Sequence, residues 1–185
     1  YEISRSDWSS DVCSSDLDTL INRHPDQNVL VDIAKLSANT VRFFNEEPHM
    51  AMISYSNFGT DEIGSPVSVH NAVEELQKQF PDLAVDGEMQ VNFALNKDLR
   101  DDKYPFTRLK GLDVNTLVFP NMSSAQGSYK LLQAIDQDAE IIGPIQMGLN
   151  KAIHFTDFES SVRDIVNITA VAAIDAYVDK IKNNK

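Results

Sequence analysis

Cysteine and tryptophan are all but absent from this sequence of 185 residues, which holds one of each. Both, Cys13 and Trp8, fall inside one odd stretch near the start. That stretch, Asp7 to Leu17 (DWSSDVCSSDL), is what a common sequencing adapter gives when translated in frame. It is poor in apolar residues and rich in Ser and Asp, so disorder is expected of it. With no basic start and no apolar run it is not a signal peptide. Residues 1–17 are therefore read as non-native and residues 18–185 as the natural sequence, with no origin assigned to Tyr1–Ser6. Without that stretch, disulfides, thiol nucleophiles and cysteine-based metal sites are all excluded. A cytoplasmic protein fits this pattern.

Positive charge is also scarce. Sixteen Lys and Arg face 28 Asp and Glu, a formal charge of −12, and setting aside the three aspartates Asp7, Asp11 and Asp16 leaves −9. So acidic a surface argues against a nucleic acid or an anionic membrane as partner. No apolar run approaches the length of a membrane span. G-x-x-x-x-G-K-[ST] and G-x-G-x-x-G are missing, and so is G-x-S-x-G. The histidines His24, His49, His70 and His154 are scattered without ligand spacing, so no metal site is expected. What remains is about one domain in size. It is expected to be a fragment, because Asp18 to Pro25 opens in the middle of what reads as a strand.

Apolar periodicity supplies the architecture. Pro25 begins an amphipathic helix with Leu30, Ile33, Ser37, Val41 and Phe44 on one face. Met50 to Tyr55 is a short strand entering the loop Ser56 to Thr60. Ser65 caps a helix with Pro66 at its first position; Val69, Val73, Leu76 and Phe80 form its buried stripe, and Pro81 stops it. Val85 to Gln90 is a strand-to-loop passage, Val91 to Leu99 a helix, and Asp101 to Gly111 a polar connection. Val114 to Phe119 is a buried strand, followed by a small-polar loop over Pro120 to Gln126 and an amphipathic helix. A second apolar run, Ala139 to Ile145, closes on Gly143, Pro144 and Gly148. Ser161 and Asp164 form a capping box ahead of a helix that turns Ile165, Val166, Thr169, Ala172, Ala173 and Ala176 inward. Strands alternating with helices predict an α/β fold of three layers, a mostly parallel sheet with helices on both faces.

In such sheets ligands sit past the carboxyl ends of the strands, which directs attention to Pro120–Gln126 and Gly143–Gly148. The loop Ser54 to Thr60, with its hydroxyls and Gly59, either offers O–H and N–H donors to a phosphate or carboxylate or is an ordinary turn capping the next helix. Asp86-Gly87-Glu88 is either a polar wall of a site or a turn with solvated acids. Lys130 either reaches an anion or is a surface lysine. Asp164 either faces a cleft or is the capping acid of its helix, and the physics leans toward the cap.

Taken in order, SYSNFGT, VDGEMQ, FPN, YKLLQ, IGPI and RDIVN resemble the phosphate acetyl/butyryl transferase family, in the carboxyl-terminal half of its domain. More closely, the series looks like the acyltransferase-like domain that ends the large bacterial NADP-dependent malic enzymes, where ADTLIN, MLSFSNFGS, DGEMQ, VLVFPN, YKLLQ and IGPI occur in this order. The resemblance runs from Asp18 almost to the end. It implies the fold shared by phosphate acetyltransferases and isocitrate/isopropylmalate dehydrogenases, here as an incomplete domain.

Departures from the transferase pattern separate the two branches. True acetyltransferases carry a Ser-Arg pair before the last helix (DLSRG…DEDIV). Aligned through Asp164-Ile165-Val166, that pair falls on Asp157 and Phe158. By resemblance the pair serves the thiol of coenzyme A and the phosphoryl oxygens. A carboxylate repels phosphate and a phenyl ring offers no donor. The family's proposed base toward the thiol survives as Asp164. Ser-Thr-x-Gly is replaced by Ser56-Asn57-Phe58-Gly59, FPD by Phe119-Pro120-Asn121, and Gly-Asn by Ala125-Gln126, where a new Cβ narrows any close backbone approach.

The resemblance thus implies the regulatory and oligomerising end of a malic enzyme that oxidatively decarboxylates malate to pyruvate. The parent uses NADP and Mg or Mn, none of it bound by these residues, and this domain senses acetyl-CoA without turnover as part of a homo-oligomer. An active phosphate acetyltransferase and a purely structural oligomerisation block are the other two readings. The implied ligand contacts are Ser54, Ser56, Asn57, Asn121, Ser124, Tyr129, Lys130, Gly143 and Asp164, with Asp157, Phe158 and Asp164 as the degenerate transferase positions.

Overall fold

A computed structural model describes residues 22–135, 142–149, 151–156, 158 and 160–183. Half of the expected strand over residues 18–25 falls outside these, and its described half, residues 22–25, is not strand. Helix α1 spans Gln27–Phe43, two residues later than Pro25 suggests, because Asp26 is its cap and accepts from Val29 N at 2.9 Å. Strand β1 (His49–Ile53) leads to α2 (Ser65–Gln79), then to β2 (Ala84–Met89). The cap of α2 is Gly64, at φ 78°, and not Ser65, which is already helical and makes no capping bond. Phe80 ends that helix half-exposed rather than joining its buried stripe.

The helix expected over Val91 to Leu99 is two: α3 (Val91–Leu95) and α4 (Lys97–Lys103). Asn96 stands between them and caps the second by accepting from Leu99 N, so the polar connection begins in helix. Strand β3 is Thr116–Val118 and α5 is Met122–Ile135. The expected loop over Pro120 to Gln126 is thus mostly the first turns of α5. Asn121 starts it, accepting from Ser124 N at 3.0 Å. Of the second apolar run, residues 139–141 lie outside the described residues, and residues 142–145 form no strand.

Among the described residues the sheet is three-stranded and parallel, in the order β2-β1-β3. The alternation of side chains along a strand divides the core in two. Met50, Met52, Val85 and Val118 pack against Leu30 and Ala34 of α1 and Val69 and Leu76 of α2. Ala51, Ile53 and Met89 turn the other way, onto Ala94 of α3 and Leu109. Helices therefore cover both faces, as the sequence predicts. Asn115 aligns the strand starts by accepting from His49 N and donating to Glu47 O, both at 2.9 Å.

The last helix, α6, spans Val162–Asn183. Its capping box forms reciprocally: Ser161 N donates to Asp164 Oδ2 at 2.8 Å and Asp164 N to Ser161 Oγ at 3.2 Å. The inward face, however, is not the expected one. Ile168 and Val171 are buried, against Ile145, while Ile165, Val166, Thr169, Ala173 and Ala176 are exposed. Apolar residues surround this helix on all sides, so periodicity alone does not select a face. Leu131 and Ile135 of α5, Phe155 and Val162 are likewise exposed.

Arg100 is fully buried, which nothing in its charged surroundings announces. Its guanidinium donates to the carbonyls of Ala94 (3.1 Å), Leu109 (2.8 Å) and Leu112 (2.6 Å), fastening α3 to the turns beyond α4. A lysine has one nitrogen and cannot reach three divergent carbonyls. Arg100→Lys is expected to cost about 2 kcal/mol, the scale of buried acceptors left unpaired. Urea unfolding of the full chain measures this, and an unchanged midpoint would contradict it.

Candidate functional site

Parallel strands bring their carboxyl ends to one edge, and there β1 and β2 part unevenly. Met52 pairs with Gly87 and Ile53 with Met89, so Glu88 is an extra residue in β2. Such a bulge re-aims a side chain out of the ladder. The carboxylate of Glu88, with no exposure at all, turns into the loop that follows β1. Its Oε1 accepts from Ser56 Oγ at 3.0 Å and from Gly59 N at 2.7 Å, and its backbone carbonyl accepts from Phe58 N at 2.7 Å. Its Oε2 lies 3.2 Å from His70 Nδ1, while His70 Nε2 lies 3.7 Å from Glu74. The loop is thus a carboxylate-binding loop, and the carboxylate it holds is the chain's own.

Asp86 fastens a second loop to the same strand. Its Oδ2 accepts from Thr107 Oγ1 and Arg108 N, both at 2.7 Å, and its Oδ1 from Gly87 N at 3.0 Å. Asp86 and Glu88 are therefore neither solvated nor in a turn: both are buried in β2. Gln90 N donates to Asn57 Oδ1 and Gln90 Nε2 to Tyr55 O. Phe58, at φ 47°, packs its ring on Tyr104 (4.7 Å between centroids) and Phe106 (5.1 Å). The two loops are thereby cross-linked above and below. At the outer edge Tyr55 donates its hydroxyl to Asp61 at 3.0 Å, and that bond to a carboxylate holds the phenol above its ordinary pKa.

The predicted contacts fall into groups. Ser54, Ser56 and Asn57 are buried together at the end of β1. The hydroxyl of Ser54 is buried without a hydrogen-bond partner among the described residues, although its N–H donates to Met89 O. The register Met52 to Val118 carries Asn121 and Ser124 to this same edge, where they bond to each other as the start of α5. Tyr129 accepts from Gln133, and Lys130 Nζ stands 5.4 Å from the Tyr129 ring. Gly143 lies in sequence between Ile142 and Ile145, which with Met147 pack against Ile168, Val171 and Phe44 in another cluster near the end of α1. Asp164 is engaged as a cap. Phe158 is fully exposed, and Asp157 lies outside the described residues.

Sequence reasoning missed the roles of Glu88, His70, Asp86 and Phe58. One available signal was Gly87, since an isolated glycine inside a strand pattern marks a bulge or a close backbone approach. Among the described residues no cluster of His, Cys, Asp or Glu is placed to hold a metal ion. His70 presents its two nitrogens to different carboxylates. No described helix is long and apolar enough to cross a membrane.

Known proteins are similar to this chain in sequence and in overall structure. The NADP-dependent malic enzyme of Escherichia coli (strain K12) is 40% identical over 159 residues, which are 86% of this chain and 21% of that protein. The phosphate acetyltransferase of Clostridium acetobutylicum is 38% identical over 160 residues, 86% of this chain and 47% of that protein. In structure, a phosphotransacetylase from Streptococcus pyogenes superposes with a TM-score of 0.78 at 34% identity, covering 87% of this chain and 48% of that one. The chain thus spans about a fifth of the malic enzyme and just under half of the transacetylases. The family model described as phosphate acetyl/butaryl transferase matches residues 17–173, and the chain belongs to that family.

Proposed function

We propose that this chain is the carboxyl-terminal regulatory and assembly domain of an NADP-dependent malic enzyme, and that it binds acetyl-CoA without transferring the acetyl group. The observation that carries the reading is the state of the transferase positions. Phe158, where the family's arginine would clamp an anion, is a fully exposed phenyl ring. Asp164, where the family has its base, has its carboxylate bonded to Ser161 N as a helix cap. A base held as a cap, with a phenyl ring where the family's arginine would stand, does not assemble a thiol and a phosphoryl group for reaction.

Homology to both branches supports an acyl-CoA ligand. The likeness to malic enzymes supports a parent that decarboxylates malate in the cytoplasm, and no residue of this chain is assigned to its NADP or its Mg or Mn. The apolar side chains left exposed on α5 and α6 suit a face covered in a homo-oligomer. Sensing further requires that acetyl-CoA bind one state of the parent better than another. On this reading, acetyl-CoA at about a hundred times its dissociation constant stabilises the full chain by about 2.7 kcal/mol. A thermal-shift titration reads this as a rising melting temperature. No shift at millimolar acetyl-CoA would leave the purely structural reading.

A further inference from the structure

We infer that the turn Lys103 to Lys110 is a nucleotide-binding platform, which takes the purine ring of a phosphorylated adenosine on Phe106 and its phosphates on Arg108 and Lys110. The inference rests on the acyl-CoA reading in so far as the nucleotide is the adenosine bisphosphate end of coenzyme A. Phe106 is 67% exposed, yet its ring is fixed from behind by Phe58 and Tyr104 at centroid distances of 5.1 and 6.0 Å. Tyr104 is braced in turn by Phe93 at 5.0 Å. An exposed aromatic ring held by other rings is pre-organised to stack, because little freedom remains to be lost on binding.

Charge supports the same ligand. In a chain of net charge −12 this turn is basic. Lys97 is engaged by Asp113 at 2.9 Å and Lys103 by Asp102 at 3.1 Å. Arg108 and Lys110, two and four residues beyond Phe106, are exposed and have no ion-pair partner among the described residues. The backbone beneath them is rigid, with Arg108 N on Asp86 at 2.7 Å and Thr107 Oγ1 on the same oxygen. A fixed aromatic face with free cations one short step away is the pairing that base stacking and phosphate contact require.

Calorimetric titration of the full chain with acetyl-CoA, adenosine 3′,5′-bisphosphate and S-acetylpantetheine tests it. Arg108→Ala alters an exposed side chain only, so its melting temperature stays within a degree or so. Phe106→Ala also loses its ring contacts with Phe58 and Tyr104 and melts a few degrees lower, still folded, with unchanged affinity for S-acetylpantetheine as the control. Each variant is expected to weaken acetyl-CoA and the bisphosphate about tenfold, the scale of one lost stack or phosphate contact, and to leave S-acetylpantetheine as it was. Wild-type affinity of both variants for the bisphosphate overturns the inference. Should the wild type bind the bisphosphate but not acetyl-CoA, with that binding weakened in the variants, the platform stands and the acyl-CoA reading falls. Binding of neither ligand by the wild type overturns both.

Discussion

Gly87→Ala is expected to abolish stable folding of this domain, at a cost of about 4 kcal/mol or more, in the range reserved for a steric conflict in the core. Two independent effects add at this residue. Its φ of 144° is a conformation that side-chain-bearing residues rarely adopt, and holding one there costs about 1–3 kcal/mol. A Cβ would also sit 2.5 Å from the carbonyl oxygen of Met52. That atom is backbone of β1, in the pair Met52–Gly87 immediately before the bulge, so the conflict cannot be relieved by a side-chain rotation. It is relieved only by parting β1 from β2 at the point that aims Glu88. Urea unfolding or soluble yield of the full chain gives the readout. A variant melting within a degree of the wild type would contradict the geometry.

Glu88→Leu is expected to cost about 3 kcal/mol, since two hydrogen bonds to a charged acceptor are worth about 1.5–3 kcal/mol each and the exposed Gly59 N–H recovers part of its loss in water. Ser56 Oγ, buried, would have no replacement partner. Glu88→Gln separates shape from charge. Its amide oxygen still accepts from Ser56 and Gly59, and its amine faces His70 Nδ1, so the expected cost falls to about 1 kcal/mol. The Gly59 amide proton reports the difference in solution: it stays shielded from exchange in the glutamine variant and exchanges freely in the leucine variant. Equal costs for the two variants would mean that the carboxylate is not what organises the loop.

These two residues also show where the sequence stops being informative. The rim loop was legible only as one of two things, a donor-rich turn able to hold a phosphate or carboxylate or an ordinary capping turn, because Ser56, Gly59 and their neighbours suit both. The identity of the carboxylate was not, because Glu88 reaches it through a bulge that depends on the pairing of two strands far apart in sequence. Arg100 was hidden for a related reason. In the run Lys97 to Lys103 six of the seven residues are charged, and only the folded turns reveal that one guanidinium meets three carbonyls.

Local signals did better. The Ser161–Asp164 capping box and the parallel α/β pattern both follow from spacing alone. The first turns of α5 read as loop, because Ser123, Ser124, Gly127 and Ser128 have weak helix propensity and the Asn121 cap that offsets it is a single bond. The buried side of α6 was misread because Ile165, Val166, Ile168 and Val171 offer several equivalent stripes, and contact with Ile145 selects the last two. Recognition of the family rested on none of these periodicities. It came from short ordered motifs, three of which (SYSNFGT, VDGEMQ and FPN) lie at the strand ends that the structure gathers at one edge.

The most direct test of the account is turnover. Full-length chain is supplied with saturating acetyl-CoA and inorganic phosphate, and acetyl phosphate and free coenzyme A thiol are measured against a no-protein control. Binding without chemistry predicts no product above the uncatalysed background, although acetyl-CoA raises the melting temperature of the same sample. Sustained formation of acetyl phosphate would contradict it. Such a result would restore an active transferase, with Asp164 released from its cap and an anion clamp supplied by residues other than Phe158.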